Sequence, residues 1–149
     1  MNNITSEEFD KKIVSECPIL YKNRHAPMNQ TCMCWGFDIG KGWYDLVYNL
    51  SKKIEKINQT LPEKQKCIAA QVKSKYGSLR FYTDGGNEET DKLISKAERE
   101  SCKICEECGN KGKEITLCGW VYTLCNKCKE KEEKRLNIIY KKDKNANKN

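Results

Sequence analysis

The sequence predicts an α+β fold, in which a small antiparallel sheet is covered by helices and followed by a cysteine-rich ribbon. Three observations lead to this fold class: short runs in which apolar and polar residues alternate, longer runs with apolar residues at helical spacing, and two close pairs of cysteines. We therefore predict an α+β domain over residues 1–100, a cysteine module over 101–130 and a basic, flexible tail over 131–149.

Length and charge restrict the number of domains and the classes of protein that this sequence can encode. A chain of 149 residues suits one ordinary domain with an appended module. The net charge is +7, but residues 129–149 carry +4 of it, so the tail rather than a folded face holds most of the basic excess. No run approaches the roughly 18 apolar residues that span a bilayer, and the acidic N-terminus lacks the apolar core of a signal peptide. We expect a soluble, cytoplasmic protein with no membrane partner.

Capping residues and apolar spacing predict four helices. Thr5 and Glu8 have the spacing of a capping box and start a first helix that ends near Glu16. The strongest amphipathic pattern follows Gly42, with apolar side chains from Trp43 to Ile57. Asn87 caps a third helix with an acidic first turn, and a fourth is predicted over residues 129–135.

Alternating apolar residues predict three strands, over residues 31–39, 67–73 and 79–83. The last two are joined by a glycine-containing connection over residues 74–78 and form a β-hairpin. In a simple register, the side chains on the core side of this hairpin are Ile68, Ala70, Val72, Leu79, Phe81 and Thr83.

Two C-x2-C pairs predict a metal site. Cys105 and Cys108 are separated by sixteen residues from Cys125 and Cys128, the arrangement of a zinc ribbon, in which each tight turn aims two thiolates at one ion. Four protein ligands leave no open position, so we expect one structural Zn²⁺. Cys102 and Cys118 remain alternatives for one of the four ligands.

The remaining cysteines give a weaker signal. A second metal site would have to combine Cys17, Cys67, the C-x-C pair at residues 32–34 and His25, whose spacing is irregular. Buried packing is the more common role of such cysteines. No nucleophile–base pair or open metal site can be assembled from the sequence, so we do not expect an enzyme.

Cations and aromatic residues share the outer face of the predicted hairpin and form a candidate ligand site. Period two places Lys73, Arg80 and Tyr82 on that face, with Lys75 and Tyr76 at the tip. Such residues can hold phosphates and stack a base, which predicts an anionic ligand, either a nucleotide or a nucleic acid. Two alternatives remain: a merely solvated face, and a protein-interaction module that uses Trp120 and the ribbon.

Several segments resemble a family of small, uncharacterised proteins of bacteriophages and prophages. The segments are C-M-C-W-G at 32–36, G-W-Y-D-L at 42–46, Q-V-K-S-K-Y-G-S-L-R-F-Y at 71–82, C-x-x-C-G at 105–109 and the closing C-x-x-C at 125–128. The resemblance covers residues 16–128. It implies a viral accessory protein in the cytoplasm of a bacterial host, where it binds a host protein or nucleic acid, or sequesters a nucleotide signal of host defence. The sequence leaves the oligomeric state open.

Overall fold

The structure, a computed structural model, describes residue 1 and residues 3–146 and has the α+β architecture that the sequence predicts. Its elements in chain order are α1 (Ser6–Glu16), β1 (Phe37–Asp38), α2 (Tyr44–Asn58), β2 (Ile68–Lys75), β3 (Ser78–Asp84), α3 (Glu88–Ser101), β4 (Lys113–Leu117), β5 (Trp120–Leu124) and α4 (Asn126–Ala146). None of the described helices is both long enough and apolar enough to cross a membrane.

The first and third helices begin at the caps that the sequence indicates. The Thr5 hydroxyl accepts a hydrogen bond from the backbone N–H of Glu8, and the Glu8 carboxylate accepts one from the N–H of Thr5. Asn87 and Thr90 form the same reciprocal pair at the start of α3. Each pair satisfies two backbone donors that a helix terminus otherwise leaves without partners.

The prediction of a strand over residues 31–39 is wrong for most of its length. The Thr31 hydroxyl accepts a hydrogen bond from the N–H of Met33 and starts a 3-10 turn over Cys32–Trp35, which Gly36 ends with a φ of 77°. Only Phe37 and Asp38 are strand, and they pair in parallel with Val72 and Lys73 of β2. The sheet, of order β1-β2-β3, is therefore mixed rather than antiparallel.

The β2–β3 hairpin is tighter than predicted, because its turn contains two residues instead of five. Tyr76 and Gly77 both have positive φ, 52° and 71°, as a two-residue turn of type I′ requires. A bulge between Ala69 and Gln71 shifts the register. As a result Ala69 is fully buried, and Ala70, which was predicted on the core side, is only partly buried.

The main core lies between the three-stranded sheet and the helices. The rings of Phe9 and Tyr44 stack with centroids 4.1 Å apart, and Phe37 meets Phe9 edge to face at 5.3 Å. Asn58, at the end of α2, is buried and forms two hydrogen bonds with the backbone of Cys67, at 2.7 and 2.8 Å. These contacts fix α1 and α2 against the sheet.

The β4–β5 hairpin and α4 form a second, smaller cluster. Leu117 and Leu124 are its buried apolar residues, and Leu136 of α4 packs against them. The helix α4 extends well beyond the predicted residues 129–135. The segment predicted to be a flexible tail is thus helical as far as Ala146, and residues 147–149 of that prediction lie outside the described residues.

Candidate metal centre and adjoining cleft

The first pair of cysteines lies on a tight loop that begins at Cys105. The N–H of Gly109 donates to the carbonyl of Cys105 at 2.8 Å, and the N–H of Cys105 donates to Asn110 at 2.7 Å. Gly109 has a φ of 79°, a conformation that glycine adopts without steric cost. This backbone turn brings the side chains of Cys105 and Cys108 to one side.

The second pair lies where β5 passes into α4. Cys125 follows the last residue of the strand and Cys128 is in the first turn of the helix. The N–H of Cys128 donates to the Cys125 sulfur at 3.4 Å, and this donation is the main reason why the pKa of Cys125 is lowered to about 7. In the same cluster, burial is the main reason why the pKa values of Cys105 and Cys128 are raised, so a metal ion that binds there must displace the protons of these two thiols.

The four sulfurs have the spacing of a tetrahedral metal site. The Sγ atoms of Cys105, Cys108, Cys125 and Cys128 all lie within 4.8 Å of one another. The Sγ atoms of Cys108 and Cys125 are 3.7 Å apart, against about 3.8 Å for a tetrahedron with Zn–S bonds of 2.3 Å. The donor set therefore fits a metal ion, and its four thiolates suit zinc.

The alternative ligands lie outside this cluster. Cys102 and Cys118 are exposed, and neither belongs to the group of four sulfurs. Within residue 1 and residues 3–146, no other set of three or more potential metal ligands converges. Cys17 and Cys67 are buried, and burial raises the pKa of Cys17 to about 12, so this thiol packs as an apolar side chain.

The metal-binding loop is docked closely on the α+β domain. The N–H of Gly42 donates to the carbonyl of Glu106 at 2.9 Å, and the buried indole of Trp43 donates to the carbonyl of Ile104 at 2.8 Å. On the other side, the Thr123 hydroxyl donates to the carbonyl of Gly77 at 2.6 Å. Residues 42–46 and 105–109 thus meet at one interface, and Gly77 of the hairpin turn contacts the ribbon at Thr123.

This docking creates a cleft of about 650 Å³ between the β2–β3 hairpin and the ribbon. Tyr76 at the hairpin tip and Trp120 of β5 line it and are 72% and 71% exposed, and Lys73 and Lys75 also line it. The remaining lining residues are Asp38, Ser74, Glu106, Gly119, Val121 and Tyr122. Cations and exposed rings therefore share one concave surface.

Glu106 is the buried acidic group of this cleft. Its side chain accepts a hydrogen bond from the Ser74 hydroxyl at 3.1 Å. Burial raises the pKa of Glu106 to about 7, because the ionised carboxyl group loses contact with water. Asp38, the other acidic residue that lines the cleft, is exposed to solvent.

The structure separates the five predicted ligand residues into two groups. Lys73, Lys75 and Tyr76 line the cleft, whereas Arg80 and Tyr82 lie outside it. Arg80 donates to the Ser78 hydroxyl at 2.6 Å and to the Leu79 carbonyl at 3.2 Å. Tyr82 lies beside Lys73, whose Nζ is 5.8 Å from the ring centroid.

The sequence predicts an anionic ligand on the hairpin face, with the ribbon as a further contact, but it does not predict the cleft between them. The sequence predicts Trp120 as an anchor for a protein partner, and it gives no indication that Asp38, Ser74 and Glu106 line a site. The available signal was the position of Trp120 directly after a Cys118-Gly119 turn, since residues beside a hairpin tip are seldom covered by a core. Trp43, by contrast, is fully buried.

Comparison of the chain with models of protein families, with curated proteins and with solved structures finds no match.

Proposed function

We propose that this chain is a non-enzymatic accessory protein, of the kind encoded by bacteriophages, that binds a nucleotide or nucleic acid in the cleft beside its metal centre. The observation that carries the proposal is the cleft itself, where exposed Trp120 and Tyr76 accompany Lys73 and Lys75. Aromatic rings bind the face of a base, and ammonium groups bind phosphates, so the combination favours a ligand that contains both.

The polar lining residues suit the edge of a base. Asp38 and an ionised Glu106 repel phosphate and accept hydrogen bonds from exocyclic amino groups, as carboxylates do when they contact cytosine. The phosphate position is therefore expected beside Lys73 and Lys75, with the base between the aromatic rings and the carboxylates.

In this proposal the metal is one Zn²⁺ with a structural role. Four thiolates occupy all positions of a tetrahedral ion, which leaves none for substrate or water. Zinc bound there would stabilise the fold of the ribbon by cross-linking its two cysteine pairs, because the ribbon's own apolar cluster is small. The ribbon in turn carries Trp120, so the metal holds one wall of the cleft in place.

The test measures binding of deoxycytidine monophosphate and of a fluorescently labelled eight-nucleotide oligodeoxycytidylate, because cytosine carries the exocyclic amino group that a carboxylate accepts. We expect Trp120→Ala and Lys73→Ala each to lower the affinity about tenfold. The matched controls are Trp35→Ala and Lys92→Ala, because Trp35 is 72% exposed and Lys92 is exposed, both outside the cleft. The proposal fails if neither probe binds, or if the control variants weaken binding equally.

A second candidate function is recruitment or inhibition of a host protein through the same ribbon. The exposure of Trp120 favours it, since exposed tryptophans are frequent anchors of protein interfaces. A pull-down from nuclease-treated host lysate separates the two functions. A protein that is retained by the wild type and lost with Trp120→Ala, while both nucleotide probes fail to bind, would support this candidate instead.

A further inference from the structure

The candidate ligand surface extends beyond the cleft along the outer face of β2 and β3. Cross-strand partners in an antiparallel pair point to the same face, and Lys73 pairs with Arg80 while Gln71 pairs with Tyr82. Lys75 pairs with Ser78 at the other end. From this pair to the Gln71–Tyr82 pair the strand covers four residues, or about 13 Å.

A second depression lies at the far end of this face. It has a volume of about 380 Å³, and its lining includes Tyr82, Gln71 and Met28. Tyr82 is 42% exposed and Met28 is 68% exposed. The outer face therefore has an exposed aromatic ring at each end, Tyr76 with Trp120 at one and Tyr82 at the other, and one base cannot stack on both.

Cations lie over these rings and between them. The Nζ of Lys75 is 5.6 Å from the centroid of Tyr76, and the Nζ of Lys73 is 5.8 Å from that of Tyr82. Arg80 is the cross-strand neighbour of Lys73. Each ammonium group thus lies over one face of its ring, and a base that stacks on that face would move the ammonium group toward the phosphate. Asp38, on the neighbouring β1, is the register partner of Lys73, and Asp84 lines the depression at Tyr82.

We infer that the ligand is a single-stranded nucleic acid that runs from the Trp120 cleft along the outer face of the hairpin to Tyr82. This inference rests on the proposed function and specifies its ligand. Rings at separate positions stack on successive unpaired bases, which a duplex does not present. The three cations, Lys73, Lys75 and Arg80, match the several phosphates of a nucleic-acid backbone better than they match a single nucleotide.

The inference is tested with deoxycytidine monophosphate and with oligodeoxycytidylates of two, four and eight nucleotides, by isothermal titration calorimetry. Affinity should rise from one to four nucleotides. Tyr82→Ala should lower tetranucleotide affinity about tenfold, without changing monophosphate affinity, whereas Trp120→Ala should lower both. Tyr82→Phe keeps the ring and should bind like the wild type. Circular dichroism and zinc content, unchanged in each variant, establish that the fold is retained.

Salt dependence gives a second, independent readout. The slope of log affinity against log salt is about 0.7 for each phosphate neutralised on a single strand. Arg80→Ala should therefore reduce the slope for the tetranucleotide by about 0.7 and leave that for the monophosphate unchanged.

The outcomes distinguish this inference from the proposed function. If the monophosphate binds, its affinity depends on Trp120, and longer strands gain nothing, the cleft binds a single nucleotide and the extended path is wrong. If Tyr82→Ala weakens monophosphate and tetranucleotide equally, the path is also wrong. If no probe of any length binds, the proposed function and the inference fail together.

Discussion

Two glycines determine how closely the metal-binding loop approaches the α+β domain. A Cβ atom at Gly42 would lie 2.0 Å from the carbonyl oxygen of Cys105, and one at Gly40 would lie 2.1 Å from that of Glu106. Real Cβ atoms do not come so close to backbone, so any side chain here must push the loop away.

Gly42→Ala should destabilise the protein by about 1–3 kcal/mol or more, as expected for overpacking against a rigid backbone. It should also weaken retention of the metal, because the displaced loop carries Cys105. Urea denaturation measures the free energy of unfolding, and Lys41→Ala is the matched control, since Lys41 lies between the two glycines and is exposed. Equal stability of the two variants would contradict the close docking.

Glu16 joins the first two helices. Its carboxylate accepts hydrogen bonds from Lys12 Nζ at 2.7 Å and from the Tyr48 hydroxyl, and lies 3.4 Å from Lys52 Nζ. The hydrogen bond from Lys12, followed by that from Tyr48, lowers the pKa of Glu16 from 4.5 to about 2. Tyr48 and Lys52 are on α2, so the ionised carboxylate holds α1 against α2.

The lowered pKa predicts a defined pH dependence. A carboxylate whose pKa is lower in the folded state stabilises the fold above its unfolded pKa, and that stabilisation is lost as the pH falls toward the folded pKa. The difference in unfolding free energy between the wild type and Glu16→Gln should therefore be greatest above pH 4.5 and vanish toward pH 2. Urea denaturation of both proteins at matched pH measures it. A difference that stays constant across this range would contradict the interaction.

Local signals explain which elements could be predicted from the sequence. The starts of α1 and α3 depend on side chains three residues apart, Thr5 with Glu8 and Asn87 with Thr90, so the sequence contains the whole cause. The prediction of a strand over residues 31–39 is wrong for most of its length because a hydrogen bond from the Met33 N–H to the Thr31 hydroxyl competes with extended structure. Leu136 of α4 packs against the ribbon, a tertiary contact that no local pattern shows.

At the scale of the whole molecule, the sequence predicts the four candidate metal ligands but does not predict the cleft. The spacing within each cysteine pair fixes a local turn, so the four ligands could be selected from ten cysteines. The cleft brings Lys73 to Trp120, 47 positions along the chain, through contacts such as that of Thr123 with Gly77. Such docking follows from tertiary packing, and single-sequence periodicity contains no information on it.

The central claim is that four cysteines hold one metal ion that fixes the ribbon against the α+β domain. A native mass spectrum of the full chain, recorded beside those of Cys105→Ser and Cys102→Ser, tests it most directly. We expect one zinc ion per wild-type chain, its loss in Cys105→Ser and its retention in Cys102→Ser, because only Cys105 belongs to the cluster. A wild-type chain without metal, or a Cys102→Ser chain that loses zinc while Cys105→Ser keeps it, would contradict the account.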